Sequence, residues 1–360
     1  MRRLLGGIGL CWLLLNSAVY AAQYSVTVVD NPRPVSLSGI NDAGQIVGSA
    51  YQSGSILLDA YYWQSPHQGM DLGRLGCSYE NEGECYSKAF DLNNNGVVIG
   101  ESHTHPGYAY LPVAFRWENG AMEQITTVGV EFSRAQAINN RGTITGFGRA
   151  TYNYSYVSQA YVRFNDGQTV GLWGAASGLA SFAYGINDND TAAGCYTPLG
   201  YLLTPGYWSD NGSGQYQLTA LPAPGSQACV EAINDQNVMA GYAIDSTGAH
   251  HGAVWENEQF TDLGTLGVYV NYSHATAINN AKQVVGHYSS WQRLCRPTCR
   301  TKTHALGFIW ENGAMTALDN LMAEPDVYVT DAFDINDSGQ IAASGIVNGS
   351  AEFLILMPVP

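Results

Sequence analysis

The chain has 360 residues, a formal net charge of −15 and a pI near 4.7. Its aromatic content of 11% against 12% charged residues excludes an acidic disordered chain, and its acidity excludes a basic nucleic-acid face. It has three lysines (Lys88, Lys282, Lys302) and no Ala/Leu/Glu/Lys-rich window. With 41 glycines and 23 tyrosines it therefore reads as a turn-rich all-β protein rather than a helical one.

The first 22 residues read as a secretory signal peptide. Met1-Arg2-Arg3 is a basic start, Leu4 to Leu15 is uncharged and apolar, and Val19-Tyr20-Ala21-Ala22 supplies a small-residue cleavage site. Removal of Arg2 and Arg3 leaves 13 basic residues against 30 acidic ones, a net charge of −17. No later segment is long enough to span a membrane. An exported chain is placed in the periplasm or outside the cell, where cysteines pair. Six remain after cleavage: Cys77, Cys85, Cys195, Cys229, Cys295 and Cys299. Sequence permits fifteen pairings. Locality favours Cys77–Cys85 and Cys295–Cys299, which leaves Cys195–Cys229.

Residues 23–360 are a sevenfold repeat. An apolar residue, Asn, Asn or Asp, any residue, usually Gly, then an apolar pair and Gly recurs as INDAGQIVG, LNNNGVVIG, INNRGTITG, INDNDTAAG, INDQNVMAG, INNAKQVVG and INDSGQIAASG. The marker asparagines are Asn41, Asn93, Asn139, Asn187, Asn234, Asn279 and Asn336, spaced by 45 to 57 residues. A Trp-ending aromatic phrase and a Met-x-x-Leu or Asp-Leu-Gly phrase follow in many units. Four short strands per unit of this length is the signature of a propeller blade. The first strand ends at Ile-Asn. Asn-x-x-Gly is a tight turn in which Asn bonds its own backbone and Gly takes φ > 0. Asn-Gly closes the third strand onto the fourth. The repeat predicts blades at about 36–76, 87–128, 133–174, 181–220, 228–267, 274–318 and 331–357. The last lacks an outer strand, and residues 24–29 are a spare one. The expected fold is thus a single seven-bladed β-propeller whose N-terminal strand completes the C-terminal blade.

The pattern resembles the HAF-repeat family of probable extracellular repeat proteins. The seven Ile/Leu-Asn-Asx units, Val113 to Met122 (VAFRWENGAM) and Asp262 to Gly267 (DLGTLG) carry the resemblance. No intact His-Ala-Phe triplet occurs. His304-Ala305-Leu306, Val113-Ala114-Phe115 and His251-Gly252-Ala253 are its nearest relics. The resemblance implies export and a propeller-like repeat, and no catalytic residues.

In a propeller the turns between first and second strands, and between third and fourth, share one face. The longer connections share the other. Here that loop face receives all six cysteines, seven of the eight histidines and many tyrosines, and loops on a rigid scaffold are where binding residues concentrate. Two segments stand out as binding candidates. One is Tyr152, Tyr154 and Tyr156. The other is Trp291 to Lys302, in which Arg293, Arg296, Arg300 and Lys302 form a basic tip on an acidic protein, suited to an anionic contact. Cys295, Cys299, His287 and His304 could in principle bind zinc, but an oxidising compartment favours a disulfide, so no metal or other cofactor is expected. Each marker Asn is expected to satisfy its own turn rather than to hold an ion. No nucleophile elbow or phosphate-binding loop is present. Carboxylates that could pair as in a glycosidase are Asp91, Glu101, Glu131, Glu231, Asp331 and Asp334, with Glu101 and Glu231 the least turn-like. The reading is an exported, non-catalytic recognition protein that binds a protein or glycan, and not nucleic acid, through its loop face. The alternatives are a carbohydrate-active hydrolase or lyase and a structural surface protein.

Overall fold

A computed structural model describes residues 23–29, 34–51, 57–76, 85–104, 112–127, 130–174, 179–198, 202–266, 272–295 and 299–359, with backbone alone at 23, 34, 130–131, 290–295 and 299–304. Seven four-stranded antiparallel sheets follow one another around an axis, with the strands of each in chain order from the innermost outward. The seventh sheet is the exception. Its strands Val327–Ile335, Ile341–Val347 and Ser350–Val359 are completed by the N-terminal strand Gln23–Val28. Six residue pairs hold that junction, from Gln23↔Val359 to Val28↔Leu354. The expected seven-bladed propeller with an N-terminal closing strand is the fold observed. Closure matters because an unpaired outer strand would leave a row of free backbone groups.

The core is a set of seams between neighbouring sheets. Tyr62 and Phe115 pack one seam, Trp208 and Tyr196 another, and Met239 and Trp255 a third. The aromatic phrases of the sequence supply these plugs. Trp208 and Trp255 are each 1% exposed, and their indole N–H groups donate to the Trp173 and Pro222 carbonyls at 2.9 and 2.8 Å. A buried indole thereby fills a seam without leaving an unmet donor.

The marker turns do more than the sequence shows. Each marker Asn accepts, through Oδ1, the N–H of the residue four positions on, as expected for a self-satisfied turn. Its Nδ2 then crosses the seam and donates to the backbone carbonyl of the next blade's marker Asn. The chain of bonds runs Asn41, Asn93, Asn139, Asn187, Asn234, Asn279, Asn336 and back to Asn41, at 2.8–3.1 Å. A second closed circuit uses the following residue. The N–H of Asp42, Asn94, Asn140, Asp188, Asp235, Asn280 and Asp337 each donates to the side-chain Oδ1 of its counterpart in the next blade, at 2.8–3.0 Å. The Asn-Asx dipeptide is therefore the unit that joins blades.

The two glycines of the phrase have different causes. The fourth residue is left-handed in every blade, and Asp190, Asn237 and Lys282 occupy it where Gly is missing. The closing glycine, such as Gly100 or Gly146, has no such φ. A Cβ there would strike the Lys88 or Arg134 carbonyl of the innermost strand. That close approach accompanies a β-bulge, which recurs in the innermost strand of all seven blades three residues before the marker Asn. In the seventh blade Ala343 replaces the closing glycine, and the strand pair slips once more, between Val329 and Asp331.

Candidate functional site

The bulges decide what lines the axis. Each turns one side chain into the channel: Ser38, Phe90, Gln136, Tyr184, Glu231, Thr276 and Phe333, one per blade. Two residues nearer the loop face, the innermost strands of blades 3, 6 and 7 carry Arg134, His274 and Asp331. The position five before the marker differs in every blade, and the position three before it repeats only as Phe90 and Phe333, while the flanking phrase recurs.

On the blade 2–3 side of the mouth, Arg134 is paired with the buried Glu101 at 2.6 Å, and the Tyr86 hydroxyl donates to Glu101 at 3.0 Å. Burial, and then the neighbouring Glu101, push the Tyr86 phenol up to about 12. This corner is a closed ion pair rather than a free charge.

Blades 4 to 6 form a different wall. Tyr242, His250, Tyr272, His274 and His287 stack in series with ring centroids 4.6–5.8 Å apart and nearly parallel planes. Glu231 stands 3.9 Å from His274, and Asp331 stands 3.0 Å from His287 Nδ1. Burial, then the neighbouring His287 and His250, drive the His274 pKa down to about 3. Burial raises Glu231 to about 7. Tyr184, packed near Glu231 and Tyr242, is raised to about 12, mainly by burial. At neutral pH the wall thus holds a neutral imidazole, neutral phenols and a carboxyl near half-protonation. It is rich in hydrogen-bonding groups and ring surface.

The residues singled out from sequence lie elsewhere on the same face. Asn153 and Tyr154, both with positive φ, make the turn between strands Ile144–Tyr152 and Ser155–Arg163. Tyr154 is fully exposed and Tyr156 is 64% exposed. Tyr156 lies against the Arg149 guanidinium at 4.0 Å, whose other face covers Phe132 at 4.1 Å, while Tyr152 meets Trp173 edge-on. These tyrosines do not join the channel lining. The second candidate is a long hairpin of Val284–Cys295 and Cys299–Glu311, with Leu294↔Arg300 and Cys295↔Cys299 in register. The side chains of Trp291, Arg293, Arg300 and Lys302, and both cysteines, lie outside the described residues, as do Arg296 and Cys77. The hairpin grows from the strand that carries His287.

Cys195 and Cys229 form the disulfide reached by elimination in the sequence. It joins the second strand of blade 4 to the first of blade 5 with Cα atoms 5.0 Å apart. Cys85 is disulfide-bonded as well. No group of three or more metal-ligating side chains is present among the described residues. No described helix is long and apolar enough to cross a membrane.

No protein-family model and no curated protein matches the chain. Similar solved structures include TolB from Acinetobacter baumannii, at 10% identity and TM-score 0.42, over 88% of this chain and 63% of that one. The β-propeller domain of the Trilobed protease from Pyrococcus furiosus gives 14% and 0.47, over 76% and 83%. AofleA from Arthrobotrys oligospora gives 11% and 0.37, over 93% and 86%. The chain spans less than two thirds of the TolB chain it resembles.

Proposed function

We propose that this is an exported, non-catalytic recognition propeller of the HAF-repeat type that binds a neutral glycan, free or displayed on a partner protein, at the loop-face mouth of its channel. The observation that carries this reading is the stacked Tyr242–His250–Tyr272–His274–His287 wall with Glu231 beside it. A neutral polyhydroxyl ligand needs ring surface for its C–H faces and uncharged or half-charged polar groups for its hydroxyls, and this wall offers both. An anionic ligand would be opposed by the net charge of the chain. The basic Arg293–Lys302 hairpin beside the wall would serve as a secondary contact to an acidic patch on the ligand's carrier.

The test is a neutral-glycan array followed by titration of the best hit against the wild type, Tyr242→Ala and Tyr184→Ala. The expected result is at least a tenfold loss of affinity in both variants. Undiminished binding by both would overturn the site. An Arg293/Arg296/Arg300 charge swap is expected to weaken capture of the native surface while sparing the free glycan. Glu231 also favours a second reading, because a carboxyl held near pH 7 could act as a general acid in a carbohydrate-active enzyme. Turnover of the bound glycan that disappears in Glu231→Gln would establish that reading instead.

A further inference from the structure

Deeper in the channel, toward the turn face, the axis has two unlike sides. In each blade the marker Asn N–H donates across the sheet to the carbonyl of the residue four positions on. The Ile or Leu before the marker therefore sits in a non-hydrogen-bonded pair, with its N–H directed away from the sheet and into the channel. Asp91 meets two of these seven donors, accepting from Leu92 at 2.7 Å and from Ile138 of the next blade at 2.8 Å. Asp334 meets two more, from Ile335 and from Ile40 of the next blade, both at 2.8 Å. For Ile186, Ile233 and Ile278 the preceding blades offer Ala137, Gly185 and Ala232, none of which carries an acceptor. Among the described residues, no side chain caps those three N–H groups.

The three donors belong to consecutive blades 4, 5 and 6. The two aspartates flank blade 1 on the opposite side of the axis. Phe90, Phe333, Tyr184 and Glu231, the last two shared with the aromatic wall, line the space on the loop side, and no Lys or Arg lines it. The cavity, about 190 Å³, has room for a solute of amino-acid size. A plain anion would meet the aspartates, and a plain cation would leave the three donors unmet. We propose that this level of the channel binds a small zwitterion of the amino-acid class, with its carboxylate on the Ile186, Ile233 and Ile278 N–H groups and its ammonium on Asp91 and Asp334. Burial, then the nearby Asp334, raises Asp91 to about 8, and burial raises Asp334 to about 7, so an ammonium held between them would draw both toward their charged forms.

The stacked rings Tyr242, His250, Tyr272, His274 and His287 do not line this cavity, so its test can be separated from theirs. Glycine, with acetate and methylammonium as its two halves, is titrated calorimetrically into the wild-type protein. Glycine is expected to bind at least tenfold more tightly than either half. Ala137→Asp and Ala232→Asp place a carboxylate where Asp91 stands in blade 2, and so cap Ile186 or Ile278 from within. Each is expected to fold, to keep glycan binding at the mouth, and to lose glycine at least tenfold. Asp91→Asn is expected to weaken glycine similarly, while Tyr242→Ala leaves it unchanged. Glycine that binds no better than its halves, or equally well to both Asp-capped variants, overturns the proposal.

Discussion

The two faces of the propeller are built by opposite rules. On the turn face every blade contributes the same Asn-Asx pair to the same two bonding circuits, and each donor finds the equivalent acceptor one blade on. On the loop face the matching positions hold Arg134, His274 or Asp331, and no two blades agree. The first face spends its sequence on geometry and leaves nothing for chemistry. The second inherits a rigid frame and is free to differ. In a repeat protein, function is to be sought where the repeat fails.

That contrast can be broken from either side. The largest effects belong to the seams. Loss of the Cys195–Cys229 bridge, which spans 34 residues, should cost about 3–4 kcal/mol, read as the drop in unfolding free energy of the Cys195→Ser/Cys229→Ser protein. Asn234→Ala removes a buried amide that caps two turn N–H groups and crosses to Asn279, and should cost about 2–3 kcal/mol in denaturant unfolding. Asn139→Ala should cost about as much, because the face is symmetric. By contrast, His274→Ala on the loop face should cost under about 1 kcal/mol in stability yet abolish glycan binding, if the face is built for ligand and not for folding. Equal losses of stability from Asn234→Ala and His274→Ala would erase the distinction between the faces.

The channel adds a pH signature. Asp91, Asp334 and Glu231 all have folded pKa values above their unfolded ones. The folded state thus holds extra protons between about pH 4 and 8, and the stability from these groups is lost as pH rises through that window. His274 acts oppositely, costing stability as pH falls from 6.5 toward 3. The unfolding free energy should therefore decline from pH 6 to pH 8.5, and Asp91→Asn/Asp334→Asn should flatten that decline. An unchanged slope would mean that the two carboxyls do not titrate as argued. The smallest effect is on the turn face. Lys282 holds a left-handed φ of 60° where four other blades have Gly, so Lys282→Gly should stabilise by about 0.5–1 kcal/mol, visible as a rise in Tm.

The blade count, the closing strand and the Cys195–Cys229 pair were legible in the sequence, because repeat phrases, strand-sized ends and an even cysteine count are local or arithmetic signals. The second half of each marker Asn was not. Oδ1 acts within its own turn, but Nδ2 acts across a seam that exists only once seven sheets close. The bulges were hidden as well, since nothing in the phrase shows the backbone carbonyl that the closing Gly must clear. The aromatic wall left a faint trace. His250, Tyr272, His274 and His287 stand out as loop-face aromatics and imidazoles, while Tyr242 does not, and their stacking depends on two adjacent blades. Aligning the seven phrases and asking which position varies most would have pointed to the third and fifth residues before each Asn, and so to Glu231 and His274.

The asparagine circuit also measures. Each amide reaches from one blade to the next across a fixed arc, and all seven reaches fall within 0.3 Å of one another, including the one from Asn336 to Asn41 where the two ends of the chain meet. Blades set at the wider angle of a six-membered ring, or the narrower one of eight, would leave every link too long or too short at once. The circuit works as a gauge of blade number, and it makes the seam between first and last blade indistinguishable from the other six.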